Sequence, residues 1–148
     1  MSELERQLRA LPGADGAAEA ARRVVRRAEA EGAVAVASAR VDSPVGPLTA
    51  AATERGLLCL AFPEQELDEV LGEVARRLSP RILELPGRLD PVRRQLDEYF
   101  EGLRKDFDLD IDWSLSSGFA RKILRATARI PYGKLLTYRE IARKAGNE

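Results

Sequence analysis

The sequence contains no histidine and only one cysteine, Cys59, among its 148 residues. Without histidine, these residues lack the commonest general base and a frequent metal ligand, so they cannot form a Ser-His-Asp or Cys-His arrangement. A single cysteine excludes an internal disulfide and any cysteine-rich zinc site. Chemistry performed by these residues would have to use carboxylates, lysines, tyrosines or one thiol.

The sequence also has no long apolar run. No segment approaches the ~18 apolar residues of a membrane span, and no charged-then-apolar export signal is recognisable at the start. We therefore expect a cytoplasmic protein. The hydrophobic fraction is 45%, which is ordinary for a globular protein and sufficient to form a core.

Charge is balanced overall but uneven along the chain. Residues 64–113 carry eight basic and fourteen acidic groups, a net charge of −6, whereas residues 114–148 carry eight basic and two acidic groups, a net charge of +6. A local positive excess on a helical segment is the electrostatic footprint of a surface that meets phosphates. Alternatively, these cations are only the solvated face of an amphipathic helix; the capping and turn signals described next favour contact with DNA.

The basic segment begins with a predicted helix. Four apolar residues recur at the spacing of one helical face, namely Phe119, Ile123, Ala126 and Ile130. Ser116 or Ser117 can cap the start of this helix, and Pro131 with Gly133 ends it. Three cations are candidate phosphate contacts on this helix, namely Arg121, Lys122 and Arg125.

A second short helix is predicted to follow. Thr137 and Glu140 have the spacing of a capping box, and Gly146 is placed to end the helix. Two helices joined in this way predict the entry to a helix-turn-helix. Its next helix would lie in a nucleic-acid groove and would come after Glu148.

The first 32 residues are predicted to form a helical extension. Leu4, Leu8 and Leu11 share one face of a first helix, and a second helix is expected over residues 15–31. Both apolar stripes are thin. We interpret residues 1–32 either as an extension that packs loosely on a domain or partner, or as a partly disordered tail.

A change of period after residue 33 predicts a small sheet. Residues 34–41, 48–53 and 57–62 are strand candidates in an antiparallel meander, and residues 81–85 form a short fourth strand. Cys59 lies in the apolar third strand, where burial would give the thiol a high pKa. We therefore interpret Cys59 as a core residue and not as a nucleophile.

Two amphipathic helices are expected to cover the sheet. The first spans residues 64–78 and directs five residues inward, namely Leu67, Val70, Leu71, Val74 and Leu78. The second begins with Asp90 as its cap and Pro91 at its first position. Its apolar side carries Val92, Leu96, Tyr99, Phe100 and Leu103.

The carboxylates of this region do not predict a metal site. Asp97, Glu98 and Glu101 are interpreted as solvated ion-pair partners of nearby arginines. Residues 105–113 alternate aspartate with apolar residues, which predicts an extended connector that lays Phe107, Leu109, Ile111 and Trp113 against the body. The glycine and closing glutamate of an EF-hand are absent, so a calcium loop is excluded.

These elements predict an α+β protein: a small antiparallel sheet with helices, followed by an incomplete winged helix-turn-helix. We divide the sequence into an extension at residues 1–32, an α/β domain with connector at 33–113, and a partial DNA-binding domain at 114–148.

Several segments carry the resemblance to a known family. They are Ser43–Leu48, Thr53–Leu57, Leu96–Gly102, Ser117–Phe119, Ile130–Gly133, Thr137–Tyr138 and Ala145–Asn147. From about residue 34 to the end, in register, the sequence resembles the O6-alkylguanine-DNA alkyltransferases, also called methylated-DNA-protein-cysteine methyltransferases. The last of these segments, from Ser117 onwards, are the most specific.

The resemblance implies DNA repair by a monomeric, cofactor-free, nucleoid-associated protein that acts once on alkylated double-stranded DNA. An RNase H-like sheet domain would support a winged helix that enters the minor groove and flips the damaged guanine. A cysteine in a Pro-Cys-His-Arg motif would then take the alkyl group from guanine O6. Tyr138 would help to rotate the nucleotide, Thr137 would keep its capping role, and Phe119 would be a buried aromatic.

The sequence departs from the family at the decisive motif. It has no Pro-Cys-His-Arg, so the acceptor cysteine is expected beyond Glu148, and the chain alone is expected to be inactive. Two alternatives stay open. One is a non-enzymatic DNA-binding protein that resembles the alkyltransferase-like proteins, and the other is an isolated protein-interaction module.

Overall fold

The computed structural model describes residues 14–146, with side chains from residue 16 onwards. The helix predicted around Leu4, Leu8 and Leu11 lies outside these residues. The chain divides into two units, residues 1–34 and residues 35–148. In the first unit, helix α1 spans Ala14–Ala30 and confirms the second predicted helix of the extension.

The second unit is built on a four-stranded sheet. Its strands are β1 (Val36–Val41), β2 (Leu48–Thr53), β3 (Gly56–Ala61) and β4 (Ile82–Glu84), in the order β3-β2-β1-β4. β1 pairs with β2 and β2 with β3 in antiparallel fashion, which confirms the meander. β4 pairs with β1 in parallel, so the complete sheet is mixed. The chain between β1 and β4 contains β2, β3 and one helix, so it is long enough for the crossover that a parallel pair requires.

The sheet forms a dense core together with the elements that follow it. Helix α2 spans Leu67–Arg77, and its Val74 packs with Val36 and Ala51 in one buried cluster. A 3₁₀ turn at Pro86–Leu89 contacts β1 and β2. It leads directly into helix α3, Asp90–Phe100.

The sheet-covering helices differ from the sequence prediction, most clearly at Asp90, Leu67 and Leu103. Asp90 does not cap α3, because the preceding 3₁₀ turn puts Leu89 at the cap position; the Asp90 carboxylate instead accepts from Arg93 Nη2 at 2.8 Å. Leu67 is 42% exposed because it is the first residue of α2. Leu103 is 76% exposed because α3 ends before it. The prediction that Leu67 faces inward is therefore wrong, and Leu103 lies beyond the helix on whose apolar side it was predicted.

The connector between α3 and the basic helices also departs from its predicted pattern. Phe107 and Ile111 are 45% and 40% exposed, although the alternation predicted that they pack inward. Asp112 is buried instead, since it finds hydrogen-bond donors in the sheet. The segment does run alongside β3, because Ile111 forms a parallel bridge with Leu57.

Three elements complete the described chain. They are a 3₁₀ turn at Trp113–Leu115, helix α4 at Gly118–Ala128 and helix α5 at Tyr138–Gly146. The α+β class is therefore confirmed, as are both C-terminal helices. Among residues 14–146, no helix combines the length and apolar character that crossing a bilayer requires.

Candidate DNA interface

Helices α4 and α5 are joined by a tight turn. The N–H of Lys134 donates to the carbonyl of Pro131 at 3.0 Å, and Gly133 has φ +75°. A positive φ at the third position of a four-residue turn belongs to type II, where glycine is favoured because it has no Cβ. The proline-glycine pair therefore ends α4 and redirects the chain towards α5, as predicted.

The start of α5 is fixed by the predicted capping box. The Glu140 carboxylate accepts from Thr137 N at 2.6 Å and from Thr137 Oγ1 at 2.7 Å. In return, Glu140 N donates to Thr137 Oγ1 at 3.3 Å. The bond from the Thr137 backbone is the largest cause that lowers the pKa of Glu140. The carboxylate is therefore ionised and held at the positive end of the helix.

A small cluster packs the two helices together. Ala126, Ile141 and Ala145 are buried, and three partly buried residues surround them, namely Ile123, Ile130 and Leu136. The two alanines leave room for close approach of the helices. Phe119 is 58% exposed, so the prediction of a buried aromatic is wrong. The cluster ends at Ile123, one turn short of Phe119.

Cations cover the exposed surface of this helix pair. The exposed basic residues are Lys122, Arg125, Arg129, Lys134, Arg139, Arg143 and Lys144. Glu140 is the only acidic residue between 114 and 146, and its carboxylate belongs to the capping box. The described surface of α4 and α5 is therefore strongly positive, as a phosphate-binding surface must be.

The predicted site residues lie at two different places. Tyr138 is the first residue of α5 and is 77% exposed, next to the capping Thr137. Arg121 turns towards the segment before α4, where it donates to backbone carbonyls, and the Arg125 guanidinium lies 5.6 Å from the centre of the Trp113 ring. Lys122 is exposed on α4. The DNA contacts assigned to all five residues stay predictions.

An apolar groove lies beside the loop between the helices. Its volume is about 560 Å³, and it is lined by Ala126, Arg129, Ile130, Pro131, Lys134, Leu135, Leu136 and Lys144. Leu135 is 95% exposed. The groove thus combines an apolar floor with a basic rim.

Cys59 lies in strand β3 and is not among the residues that line the groove. It is half-buried in β3 and packs against the cluster of Val36, Ala51 and Val74. Burial raises the pKa of the Cys59 thiol, and a backbone hydrogen bond involving Ala51 only partly opposes that effect. The thiol is therefore protonated at neutral pH and a poor nucleophile. This agrees with the interpretation of Cys59 as a residue that packs on the core.

Glu98 is one of the three carboxylates that the sequence predicted to form ion pairs and not a metal site. Glu98 accepts from Arg104 Nε at 2.7 Å and lies 4.0 Å from Arg94 Nε, which confirms its predicted role. The pairing of Asp97 and Glu101 stays a prediction. In the part of the chain that the structure describes, no three Cys, Asp or Glu side chains converge as a metal site would require.

Sequence reasoning missed a buried polar residue on α3 and one in the connector. The amide of Gln95 donates to Asp108 O at 2.8 Å and accepts from Asp108 N at 2.8 Å, which fastens the connector to the helix. The Asp112 side chain is only 2% exposed and binds Thr53 of β2. The one signal for Gln95 was its position between the core residues Val92 and Leu96; Asp112 had none.

Comparison with known proteins places this arrangement in a family. Residues 37–113 match the family model described as "6-O-methylguanine DNA methyltransferase, ribonuclease-like domain". A methylated-DNA–protein-cysteine methyltransferase of Methanosarcina barkeri is 31% identical over 106 residues, which cover 72% of this chain and 62% of the relative. The enzyme of the same name from Mycobacterium tuberculosis is 32% identical, over 72% of this chain and 59% of the relative.

Solved structures give the same result. A crystal structure of Mycobacterium tuberculosis OGT in complex with DNA matches with a TM-score of 0.60 and 28% identity, over 74% of this chain and 62% of that one. A structure of Mycobacterium tuberculosis O6-methylguanine methyltransferase matches with a TM-score of 0.62 and 30% identity. The chain thus spans 62% of each of these two structures. On this evidence, the chain belongs to the 6-O-methylguanine DNA methyltransferase family and contains its ribonuclease-like domain.

Proposed function

We propose that this chain is part of a DNA-repair protein that transfers an alkyl group from O6-alkylguanine in DNA to one of its own cysteines. The observation that carries the proposal is the family match over residues 37–113, which is followed directly by the basic helix pair α4–α5. Each transfer would consume one protein molecule, because the thioether that forms is stable. The reaction needs no cofactor.

In this proposal the ribonuclease-like domain is a scaffold and α4–α5 is the surface that meets alkylated double-stranded DNA. A relative of similar fold has been crystallised with DNA. The cations of α4 and α5 would neutralise phosphates, and exposed Tyr138 would contact the displaced nucleotide. The capping box keeps Tyr138 at the start of α5, so its aromatic ring projects from a fixed backbone.

Cys59 is not the acceptor in this scheme. Alkyl transfer requires a thiolate that can reach the flipped base, whereas Cys59 is a protonated thiol packed inside the sheet. Since Cys59 is the only cysteine in these 148 residues, they provide the scaffold and DNA contacts but no acceptor.

The test is alkyl transfer measured by mass. The product of the gene's complete reading frame and the 148-residue chain would each be incubated with O6-benzylguanine, and any benzyl adduct would be located by peptide mapping. We expect an adduct on the complete product that survives Cys59→Ala, and no adduct on the 148-residue chain. An adduct on Cys59, or no transfer by the complete product, would contradict the proposal.

The other two functions considered for the sequence make different predictions in the same experiments. A non-enzymatic relative would bind alkylated DNA without accepting the benzyl group, and an interaction module would not bind DNA even at low salt. The basic surface of α4–α5 favours DNA binding over the interaction module. We further propose that the protein acts as a monomer in the cytoplasm, associated with the nucleoid.

A further inference from the structure

The segment Trp113–Ser116 joins the sheet to α4, and arginines from two helices hold it. Arg77 of α2 donates to the carbonyl of Leu115 at 2.6 Å. Arg121 of α4 donates to Ser116 O at 2.9 Å through Nε and to Trp113 O at 3.0 Å through Nη2. Hydrogen bonds from guanidinium groups are among the stronger ones in proteins. The segment is therefore fastened both to the sheet side and to the DNA-binding side.

Asp112 lies immediately before this segment, and both of its carboxylate oxygens have partners. One carboxylate oxygen accepts from the hydroxyl of Thr53 and lies 3.3 Å from Arg55 Nε. The other accepts from the N–H of Ser114 at 2.9 Å and from the Ser114 hydroxyl. Arg55 Nη2 also donates to Ser114 Oγ at 2.6 Å. The Asp112 carboxylate thus contacts Thr53 of β2, Arg55 of the β2–β3 turn and Ser114 of the segment Trp113–Ser116.

The backbone reinforces the same junction. Leu57 N donates to Asp110 O at 2.8 Å, and Asp112 N donates to Leu57 O at 2.9 Å. At Gly56, a Cβ atom would lie 2.3 Å from Asp110 O, so only glycine permits this close approach. The β2–β3 hairpin therefore binds the backbone of Asp110 and Asp112, immediately before the segment Trp113–Ser116 that leads to α4.

We propose that Asp112 is a positioning residue for DNA binding: its buried carboxylate fixes the direction in which α4 and α5 leave the sheet, without touching DNA. The proposal rests on the proposed role of α4–α5 as the DNA-binding surface. A carboxylate near phosphates opposes binding by charge alone. Any gain in DNA affinity from Asp112 must therefore come from the orientation that it gives to α4 and α5.

Loss of the Asp112 charge should strengthen DNA binding, whereas loss of its positioning role should weaken it, so the direction of the change in affinity distinguishes the two effects. Fluorescence anisotropy would follow the binding of the 148-residue chain to duplex DNA containing O6-methylguanine at several salt concentrations. Asp112→Asn removes one negative charge, which by charge alone would strengthen binding. We expect it instead to weaken binding about 10-fold without changing the salt slope, since the phosphate contacts are the same in number.

Two variants serve as controls for this result. Asp110→Asn removes the same charge from an exposed side chain two residues away and is expected to bind at least as tightly as the wild type. Thr53→Val keeps the Asp112 charge but removes one donor, and it is expected to weaken binding in the same direction as Asp112→Asn. If Asp112→Asn bound as tightly as the wild type or more tightly, positioning by Asp112 would be excluded.

A second measurement separates this inference from the proposed function. Spin labels at the exposed positions Glu69 on α2 and Ala128 on α4, in a Cys59→Ala background, would report the distance between the sheet side and α4 without DNA. We expect one narrow distance distribution for the wild type and a broad one for Asp112→Asn and Thr53→Val. A narrow distribution in both variants, with only a lower Tm, would reduce Asp112 to a structural role and overturn the inference. Absence of DNA binding by the wild type would instead reject the DNA-binding function.

Discussion

The sheet and the α4–α5 pair differ in how far their apolar side chains are exposed to solvent. In the sheet, Val36, Ala37, Ala50 and Ala51 are 0% exposed, whereas in the helix pair only Ala145 reaches that value. Several large apolar side chains of the helical segment are exposed by more than 45%, namely Phe119, Leu124, Tyr132, Leu135 and Tyr138. The sheet therefore buries its own core, while the helix pair leaves apolar and basic surface open.

The buried region and the open region therefore differ in how much each contributes to stability. Burial of apolar area is the main stabilising term in folding, so the sheet region should carry most of the free energy of unfolding. An open apolar groove with a basic rim adds little to that free energy but provides surface for binding.

The largest effect is expected in the core of the sheet. Leu48 is 1% exposed on β2, so Leu48→Ala removes buried methyl groups and leaves a cavity. We expect the free energy of unfolding, measured by urea titration, to fall by about 3 kcal/mol. The matched control Leu135→Ala, at a residue 95% exposed, should change it by less than about 0.5 kcal/mol. Equal losses would contradict the division.

Local opening should differ between the two regions. In hydrogen exchange, amides in β1 and β2 should be protected at least about 100-fold more than those in α4 and α5, because few apolar contacts hold the helix pair. Limited proteolysis should likewise cut residues 117–148 before residues 34–113. Equal protection of the two regions would show that they unfold as one cooperative unit.

Acid should weaken the junction at Asp112. Burial acts to raise the pKa of this carboxyl, but hydrogen bonds from Ser114 and Thr53 and the charge of Arg55 outweigh burial and hold the pKa below its usual value. A lowered folded-state pKa stabilises the protein above the unfolded-state pKa of about 3.9, and this stabilisation is lost as the pH falls through the folded-state value. The wild type should therefore lose more stability in acid than Asp112→Asn does.

The measurement for this prediction is urea unfolding at several values between about pH 5 and pH 2. The advantage of the wild type over Asp112→Asn should shrink as the pH falls across this window. Asp110→Asn, which changes an exposed carboxylate, should follow the wild type closely. An advantage that stays constant with pH would mean that the charge of Asp112 does not stabilise the fold.

The smallest effect is expected at the start of α5. Thr137→Ala removes the hydroxyl that bonds Glu140, and an N-cap of this kind contributes about 1 kcal/mol. We expect faster hydrogen exchange in the first turn of α5, with Thr137→Ser restoring the wild-type rate. Faster exchange spreading into β1 or β2 would show that the helix pair supports the sheet.

Local signals in the sequence predicted much of this fold. Strand alternation and the turn residues located β1, β2 and β3, and the Thr137–Glu140 spacing predicted the capping box that the structure contains. The apolar neighbours of Cys59 in the sequence also predicted its packing against the core cluster. These features depend on neighbouring residues, which the sequence displays directly.

Features that depend on residues far apart in the chain could not be predicted from local sequence patterns. The parallel pairing of β4 with β1 depends on the path of the chain between them. Asp112 is buried because Thr53, 59 residues earlier, supplies a donor, so alternation alone misplaced the connector. The exposure of Phe119 depends on where the cluster between the helices ends.

The most direct test of the division between scaffold and recognition surface is DNA binding by the 148-residue chain across a salt series. Arg139→Ala removes an exposed cation from α5, and Arg76→Ala removes one from α2 as a control. We expect affinity to fall steeply with salt, Arg139→Ala to weaken binding and reduce the salt slope by about 1, and Arg76→Ala to change neither. Absence of binding at low salt, or equal losses from both substitutions, would contradict the account.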